Sequence, residues 1–192
     1  MPRGELKVSP EIPRAVVEGL ELLRSRLGVP IGFPGDVLAE AENLRKDPPS
    51  FPRHADRTAV ELVTVDPASS KDLDQAVRIE RSGSGYRVHY AIVDVAAWVG
   101  PGSALEAEAR RRGETLYAPG AKVPLYPDSF SEEIGSLLAD GRPRPAVLWT
   151  HDLDADGVPT GVGVERALVR SHAKLSYEEV QADADAGRAH PS

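Results

Sequence analysis

The chain has 192 residues, of which 41% are hydrophobic and 28% are charged, as is typical of a globular protein that buries its own core. It has no cysteine, which excludes disulfides, zinc-thiolate sites and thiol chemistry. The formal net charge of −7 argues against a simple RNA-coating module, which is usually basic, but not against a nuclease with an acidic metal site. No apolar run reaches the roughly 20 residues of a membrane span, so we expect a cytoplasmic protein, with its oligomeric state left open.

The N-terminal segment, residues 1–47, is predicted to form two helices. Ser9, followed by proline, is a typical helix start, and Gly28 predicts a stop. Between them, apolar residues that we assign to a core or an interface recur at helical spacing: Val16, Leu20, Leu23 and Leu27. A second helix is expected over residues 36–46. The proline-rich stretch that follows predicts a linker at residues 48–57.

After the linker, strands and helices follow one another without a regular repeat. Apolar patterns predict strands at residues 60–65, 75–80, 86–95, 147–153 and 162–170, with turns at 82–85 and 156–157. Helical patterns predict helices at residues 103–112, 131–138 and 177–186. This mixture predicts an α+β fold, in which helices pack on a mixed, largely antiparallel sheet.

Three carboxylates lie within nine residues, just after the strand at 60–65: Asp66, Asp72 and Asp74. Pro67 ends the strand, and Asp72 and Asp74 share one face if their backbone is extended. Like charges this close repel one another, and a hard cation such as Mg²⁺, which prefers oxygen ligands, relieves the repulsion. A solvated loop explains the same spacing, because aspartate is common in turns. The spacing alone leaves both interpretations open.

The residues around these carboxylates carry a resemblance that spans residues 58–182. The run at 64–74, TVDPASSKDLD, resembles the signature at the start of the catalytic (RNB) domain of the ribonuclease II/ribonuclease R family. Further blocks follow in the family's order: YRVHYAIVDV at 86–95, RGETLYAP at 112–119, VPLYP at 123–127, FSEEIGSL at 130–137 and VRSHAKLSYEEV at 169–180. Residues 58–192 are therefore expected to form the N-terminal portion of such a domain, truncated at its C-terminus.

The resemblance implies a metal-dependent 3′→5′ exoribonuclease that hydrolyses single-stranded RNA to nucleoside 5′-monophosphates, with Mg²⁺ or Mn²⁺ as cofactor. By position, Asp72 and Asp74 match the catalytic residues. The implied metal ligands are oxygen donors of the same loop: Asp66, Asp72, Asp74 and Gln75. Tyr117 matches an RNA-binding tyrosine that packs against the 3′-terminal nucleotide, as aromatic faces stack on bases. Arg112 matches a family arginine that either contacts RNA phosphate or pairs with an acid.

Three departures from the family pattern bear on function. Gln75 stands where the family has a fourth aspartate, so the site holds less negative charge for a metal. The residues before the match read as helices rather than as cold-shock barrels, and the family domain continues beyond residue 192. The alternative function is therefore a non-catalytic RNA-binding or interaction fragment. A closed polar surface favours an independent module, whereas an exposed apolar face beside the acidic cluster favours truncation.

Several other residues have a purely structural interpretation. The run at 152–157 imitates half of a calcium-binding EF-hand loop, but its flanks alternate as strands, so we predict a hairpin turn. For Asp94 we favour an ion pair at a strand end, and for His89 a packing role. For Tyr117 the alternative is a core aromatic. Two basic sets either contact RNA or are simply solvated: residues 110–112 and residues 170, 172 and 174.

Overall fold

The computed structural model of the chain describes residues 13–30, 32–118 and 121–188. The strands are β1 Ala55–Asp56, β2 Leu62–Val65, β3 Gln75–Ser82, β4 Gly85–Val93, β5 Leu116–Ala118, β6 Ala121–Val123, β7 Arg144–Leu153, β8 Pro159–Val169 and β9 Ser171–Leu175. The helices are α1 Arg14–Arg26, α2 Gly35–Lys46, α3 Val95–Trp98, α4 Ala104–Arg112 and α5 Tyr177–Asp185, with a π-helical turn at Phe130–Ile134. None of the helices described is long and apolar enough to cross a membrane.

Seven strands form one sheet in the order β1-β8-β7-β4-β3-β2-β9, and β5 pairs with β6 in a separate hairpin. The four central pairings are antiparallel, whereas β1 runs parallel to β8 and β9 runs parallel to β2. Only Arg170 separates β8 from β9, although the two strands lie near opposite ends of the sheet, so the sheet must curl. The predicted α+β class with a mixed, largely antiparallel sheet is confirmed.

The inner, concave face of the curled sheet carries the main core. Its buried residues include many small side chains, which a tightly curled sheet can accommodate: Leu62, Ala76, Ala91, Val93, Leu137, Ala146, Leu148, Ala167 and Val169. A second core joins α2 to the rest of the molecule, since Val37 and Ala41 of α2 pack with Trp98, Leu105 and Phe130. The N-terminal segment is therefore part of the folded body from α2 onward.

The outer face of the sheet exposes several large apolar side chains to solvent, beside polar ones such as Arg81, His151 and Arg166. Alternate residues of β3, β4, β7 and β8 point to it, and we define the outer face by its exposed members: Ile79, Ile92, Trp149, Val162 and Val164. Their exposed fractions run from 37% for Trp149 to 67% for Val162. An antiparallel sheet with one solvated face normally alternates apolar and polar residues. A contiguous apolar patch instead marks a surface that packs against another partner.

Several local features differ from the sequence predictions, including helix α3, which begins at Val95, where the sequence predicted the end of a strand. The helix expected at 131–138 is the π-helical turn, in which the Gly135 amide donates to the Phe130 carbonyl at 2.7 Å. Any side chain at Gly135 would press on the Phe130 ring, so only glycine allows this turn. The β5–β6 hairpin and β9 were not predicted, and β1 lies inside the expected linker. The predicted Ser9 helix start falls outside the described residues.

The exposure of α1 also corrects a prediction. No described residue of α1 is buried, and Leu23 and Leu27 are 50% and 68% exposed. The core interpretation of these leucines is therefore wrong. Their alternative assignment to an interface stays a prediction.

Candidate active site

The three clustered aspartates lie on the loop between β2 and β3, which is anchored on both sides. The Asp66 amide donates to the Leu175 carbonyl of β9 at 3.1 Å, and the Asp74 carbonyl accepts from the Val93 amide of β4 at 2.9 Å. Between them Leu73 is 1% exposed, and its amide donates to Ser136 Oγ at 2.6 Å. Burial of Leu73 turns the two flanking side chains, Asp72 and Asp74, outward on the same side.

A lysine also hydrogen-bonds to the loop backbone, a contact that the sequence did not predict. Lys174 of β9 donates from Nζ to the carbonyl oxygens of Ala68 and Ser70, at 2.9 and 2.5 Å. The alternation of basic residues at 170, 172 and 174 was the only signal of this contact, and it suggested an RNA contact or a solvated strand end instead. Lys174 thus stabilises the loop backbone beside Asp66.

The three carboxylates face one another closely enough to perturb each other's ionisation. Loss of solvent on one side, followed by repulsion from Asp72 and then from Asp66, raises the pKa of Asp74. Burial and the charge of Asp72 likewise raise the pKa of Asp66. Burial alone would raise the pKa of Asp72 too, but hydrogen bonding from Lys122 and nearby backbone amides lowers it overall. Lys174 and Lys122 offset only part of this effect, so the pKa values of Asp66 and Asp74 stay raised overall.

These residues have the donor chemistry that a hard cation needs. All of them offer oxygen atoms, and Asp66 Oδ2 is a buried carboxylate oxygen without a hydrogen-bond partner. Gln75, in place of the family's fourth aspartate, accepts a hydrogen bond at Oε1 from the Tyr90 hydroxyl. Across the described ranges, no three acidic or histidine side chains are already placed to hold one ion. One carboxylate of the loop is already paired with a cation, because Asp72 Oδ2 lies 2.7 Å from Lys122 Nζ.

A cleft of about 290 Å³ opens beside the loop. Asp72, Asp74 and Lys122 contribute its charged wall. Its apolar wall includes Ile92, which is also a member of the outer face, and Tyr126. The acidic cluster and the outer face are therefore neighbours.

Tyr117 lies on β5 directly opposite Lys122 on β6, and directly opposed residues of an antiparallel pair project to the same side. Since the Lys122 side chain reaches Asp72, this side of the hairpin faces the acidic loop. Tyr117 is 76% exposed, so the core interpretation of this aromatic is wrong. Its predicted stacking on a base is not tested, but its ring is available for one.

Arg112 is engaged inside the protein. Its Nε lies 2.7 Å from Glu108, its Nη1 donates to the Pro124 carbonyl at 3.0 Å, and its guanidinium stacks over the Phe33 ring. Only 2% of its side chain is exposed. Of the two predicted roles, pairing with an acid is the one the structure shows, and contact with RNA stays a prediction. Its neighbours in the helix, Arg110 and Arg111, likewise pair with glutamates of α4.

The remaining candidates have structural roles. Asp94 is 5% exposed and accepts hydrogen bonds from Arg166 Nε at 2.7 Å, while His54 Nε2 lies 3.0 Å from the same carboxylate. His89 is largely buried beside Thr150. The segment at 152–157 forms the β7–β8 hairpin turn, in which Asp154 accepts from the Asp156 and Val158 amides. The structural interpretations of Asp94, His89 and this turn agree with these contacts.

Comparison with known sequences places this site in a family. The RNB domain family model matches residues 55–191. Ribonuclease R of Acidithiobacillus ferrooxidans is 34% identical over 165 residues, which cover 85% of this chain and 37% of that protein. Exoribonuclease 2 of Erwinia tasmaniensis is 40% identical over 127 residues, which cover 65% of this chain and 20% of that protein. The chain thus spans about a fifth to two fifths of the length of these relatives.

Solved structures share the fold. Mycoplasma genitalium RNase R in complex with double-stranded RNA superposes with a TM-score of 0.80 at 24% identity, over 91% of this chain and 31% of that chain. Yeast Ssd1, described as a pseudonuclease, superposes with a TM-score of 0.61 at 21% identity, over 73% of this chain and 17% of that chain. The family match covers the acidic loop, the cleft and the core on the inner face of the sheet. The chain belongs to the RNB-domain family of exoribonucleases.

Proposed function

We propose that this chain forms the acidic part of the active site of a metal-dependent 3′→5′ exoribonuclease, which hydrolyses single-stranded RNA to nucleoside 5′-monophosphates. The observation that carries the proposal is that Asp66, Asp72 and Asp74 lie on one loop, where the charge of Asp72 repels the other two. Asp72 and Asp74 line the cleft together with Lys122, which is the cross-strand partner of the exposed Tyr117. These positions support a site in which carboxylates that bind metal lie beside an aromatic ring that stacks on a base.

The proposed roles follow from chemistry and exposure. Asp66, Asp72 and Asp74 would hold Mg²⁺ or Mn²⁺, with the Gln75 amide oxygen as a neutral ligand. Bound at such a site, these ions activate water and stabilise the oxygens of an in-line phosphodiester displacement. Tyr117 stacks on the 3′-terminal base and so fixes which phosphodiester reaches the acidic loop. Asp72 and Asp74 are the acids nearest the cleft, and we assign the catalytic roles to them.

The outer face supports a site completed by further polypeptide. Ile92 belongs both to the cleft and to the outer face, so whatever covers that face also borders the acidic loop. The relatives are about three to five times longer than the part matched here. We therefore propose that polypeptide covering the outer face supplies the remaining active-site groups.

Degradation of end-labelled RNA tests the proposed activity. A single-stranded oligoribonucleotide, labelled at its 3′ end or at its 5′ end, is incubated with the chain in Mg²⁺, in Mn²⁺ and in chelator. We expect mononucleotides from the 3′-labelled strand at once, and progressively shortened 5′-labelled products, only with metal. Internal cleavage, or cleavage that persists in chelator, would contradict the proposal.

A second candidate function is a non-catalytic RNA-binding or interaction fragment. Two observations favour it: Gln75 replaces an acid, and Asp72 is paired with Lys122 rather than left free for an ion. Under this alternative the chain binds single-stranded RNA but releases no nucleotides. Tyr117→Ala should then weaken RNA binding by about 1–3 kcal/mol, as measured by fluorescence anisotropy, while Tyr117→Trp retains it. Equal binding by both variants would exclude a stacking role for Tyr117.

A further inference from the structure

Lys122 contacts the acidic loop, although no sequence motif identified it as a residue of the site. Its Nζ lies 2.7 Å from Asp72 Oδ2, and the two residues are 50 positions apart in the chain. Both side chains are about one-third exposed. An ammonium group therefore lies among the carboxylates proposed to bind the metal, in contact with one of them.

The ion pair explains why the three carboxylates behave differently. Asp72 has a cation in direct contact, whereas among the described residues Asp66 and Asp74 form no ion pair, and Lys174 and Lys122 act on them only from a greater distance. One carboxylate of the set is thus already neutralised. A divalent ion that approaches Asp72 meets a positive charge within hydrogen-bonding distance, which opposes its binding.

The same lysine is coupled to the proposed RNA contact. Lys122 and Tyr117 are direct cross-strand partners in the β5–β6 hairpin, so both side chains project from one side of it. A lysine released from Asp72 stays beside Tyr117. From there the ammonium group of Lys122 can pair with a phosphate of the RNA whose terminal base stacks on the Tyr117 ring.

We propose that Lys122 is a resident cation of the acidic loop, which must release Asp72 before a divalent ion binds there and which then contacts an RNA phosphate beside Tyr117. Lys122 is thereby a positioning residue that couples metal binding to RNA binding. This inference rests on the proposed function, since it concerns the same site. A partly exposed ion pair of this kind is weak enough to exchange its partners.

The affinity of the whole chain for Mn²⁺ in the absence of RNA, measured by calorimetric titration, tests the inference. Four proteins are compared: the natural chain, Lys122→Met, Lys122→Arg and, as a distant control with the same change, Lys46→Met. Lys46 pairs with Glu42 on α2, away from the loop. We expect Lys122→Met to bind Mn²⁺ about threefold to tenfold more tightly, which corresponds to removing one partly exposed charge. Lys122→Arg and Lys46→Met should bind as the natural chain does.

RNA affinity provides the second readout. In the natural chain Mn²⁺ should strengthen the binding of a single-stranded oligoribonucleotide, because it frees Lys122 for the phosphate, and in Lys122→Met this gain should shrink. Unfolding curves confirm that each variant is folded.

The outcomes separate this inference from the proposed function. If the natural chain binds Mn²⁺ and Lys122→Met binds it equally or less tightly, the role of Lys122 is overturned while the metal site stands. If neither protein binds Mn²⁺, both the role of Lys122 and the metal dependence in the proposed function are overturned.

Discussion

Single carboxylates of this chain divide into those that are satisfied by hydrogen bonds and those that are not. Asp94 is buried and accepts hydrogen bonds from two other elements, through His54 and Arg166. Asp66 leaves a buried oxygen without a partner, and the charge of Asp72 repels it. Satisfied buried charges hold a fold together, whereas unsatisfied ones are characteristic of sites that await a ligand. The contrast agrees with a structural role for Asp94 and with the metal-binding role proposed for the acidic loop.

Asp94→Ala should destabilise the chain without changing its RNA affinity. The change removes the acceptor for His54 and Arg166, and His54 is left buried. Because Arg166 is partly exposed, we expect a loss of about 2–3 kcal/mol in the free energy of unfolding, below the range for a fully buried pair. Urea unfolding measures it, with Asp94→Asn as the milder control. An unchanged stability together with weaker RNA binding would assign Asp94 to the site instead.

Asp74→Asn should stabilise the metal-free chain at neutral pH. The pKa of Asp74 is raised in the folded state, so its favourable contribution is present below the unfolded pKa and is lost as pH rises through the folded one. We expect the unfolding temperature of the variant in chelator to exceed that of the natural chain near pH 7, and the difference to shrink toward about pH 4. A less stable variant near neutral pH would show that Asp74 is favourably paired.

At the scale of elements, truncation of a side chain to alanine should destabilise the chain strongly on the inner face of the sheet and only weakly on the outer face. Leu148 points to the inner face and is 1% exposed, whereas Val164, on the adjacent strand, points to the outer face and is 56% exposed. We expect Leu148→Ala to cost about 2–5 kcal/mol and Val164→Ala less than about 0.5 kcal/mol in chemical unfolding. A large loss at Val164 would mean that the outer face is already covered, for example by a second copy of the chain.

The elements also show how far the sequence could predict this fold. Strands β2, β3, β4, β7 and β8 were predicted because their apolar residues alternate and turn residues separate them. The β5–β6 hairpin and β9 are short, and their pairing depends on distant partners rather than on local pattern. The same limit applies to the site: the acidic loop is contiguous in sequence, but Lys122 and Lys174 reach it from 50 and more than 100 residues away. Local spacing gave no sign of the Lys122 contact, and the alternation that includes Lys174 did not identify the loop as its partner.

At the scale of the whole molecule, the chain combines a closed inner core with an open apolar outer face that adjoins the acidic cleft. An exposed apolar face of this kind marks a surface that packs against another partner rather than the closed surface of an independent polar module. The fold alone does not decide activity, since it is shared with a protein described as a pseudonuclease. Under the proposed function, activity requires that the acidic loop bind metal when RNA is present.

The most direct test of the central claim compares nucleotide release from 3′-labelled single-stranded RNA by the natural chain, by Asp74→Asn and by Asp156→Asn. Asp156 lies in the exposed β7–β8 turn, so its variant makes the same chemical change away from the site. The account predicts metal-dependent release by the natural chain and by Asp156→Asn. It predicts a loss of at least about 100-fold in Asp74→Asn, with RNA binding retained, as expected when charge stabilisation at the reacting phosphate is removed. Equal release by Asp74→Asn, or no release by any of the three, would contradict it.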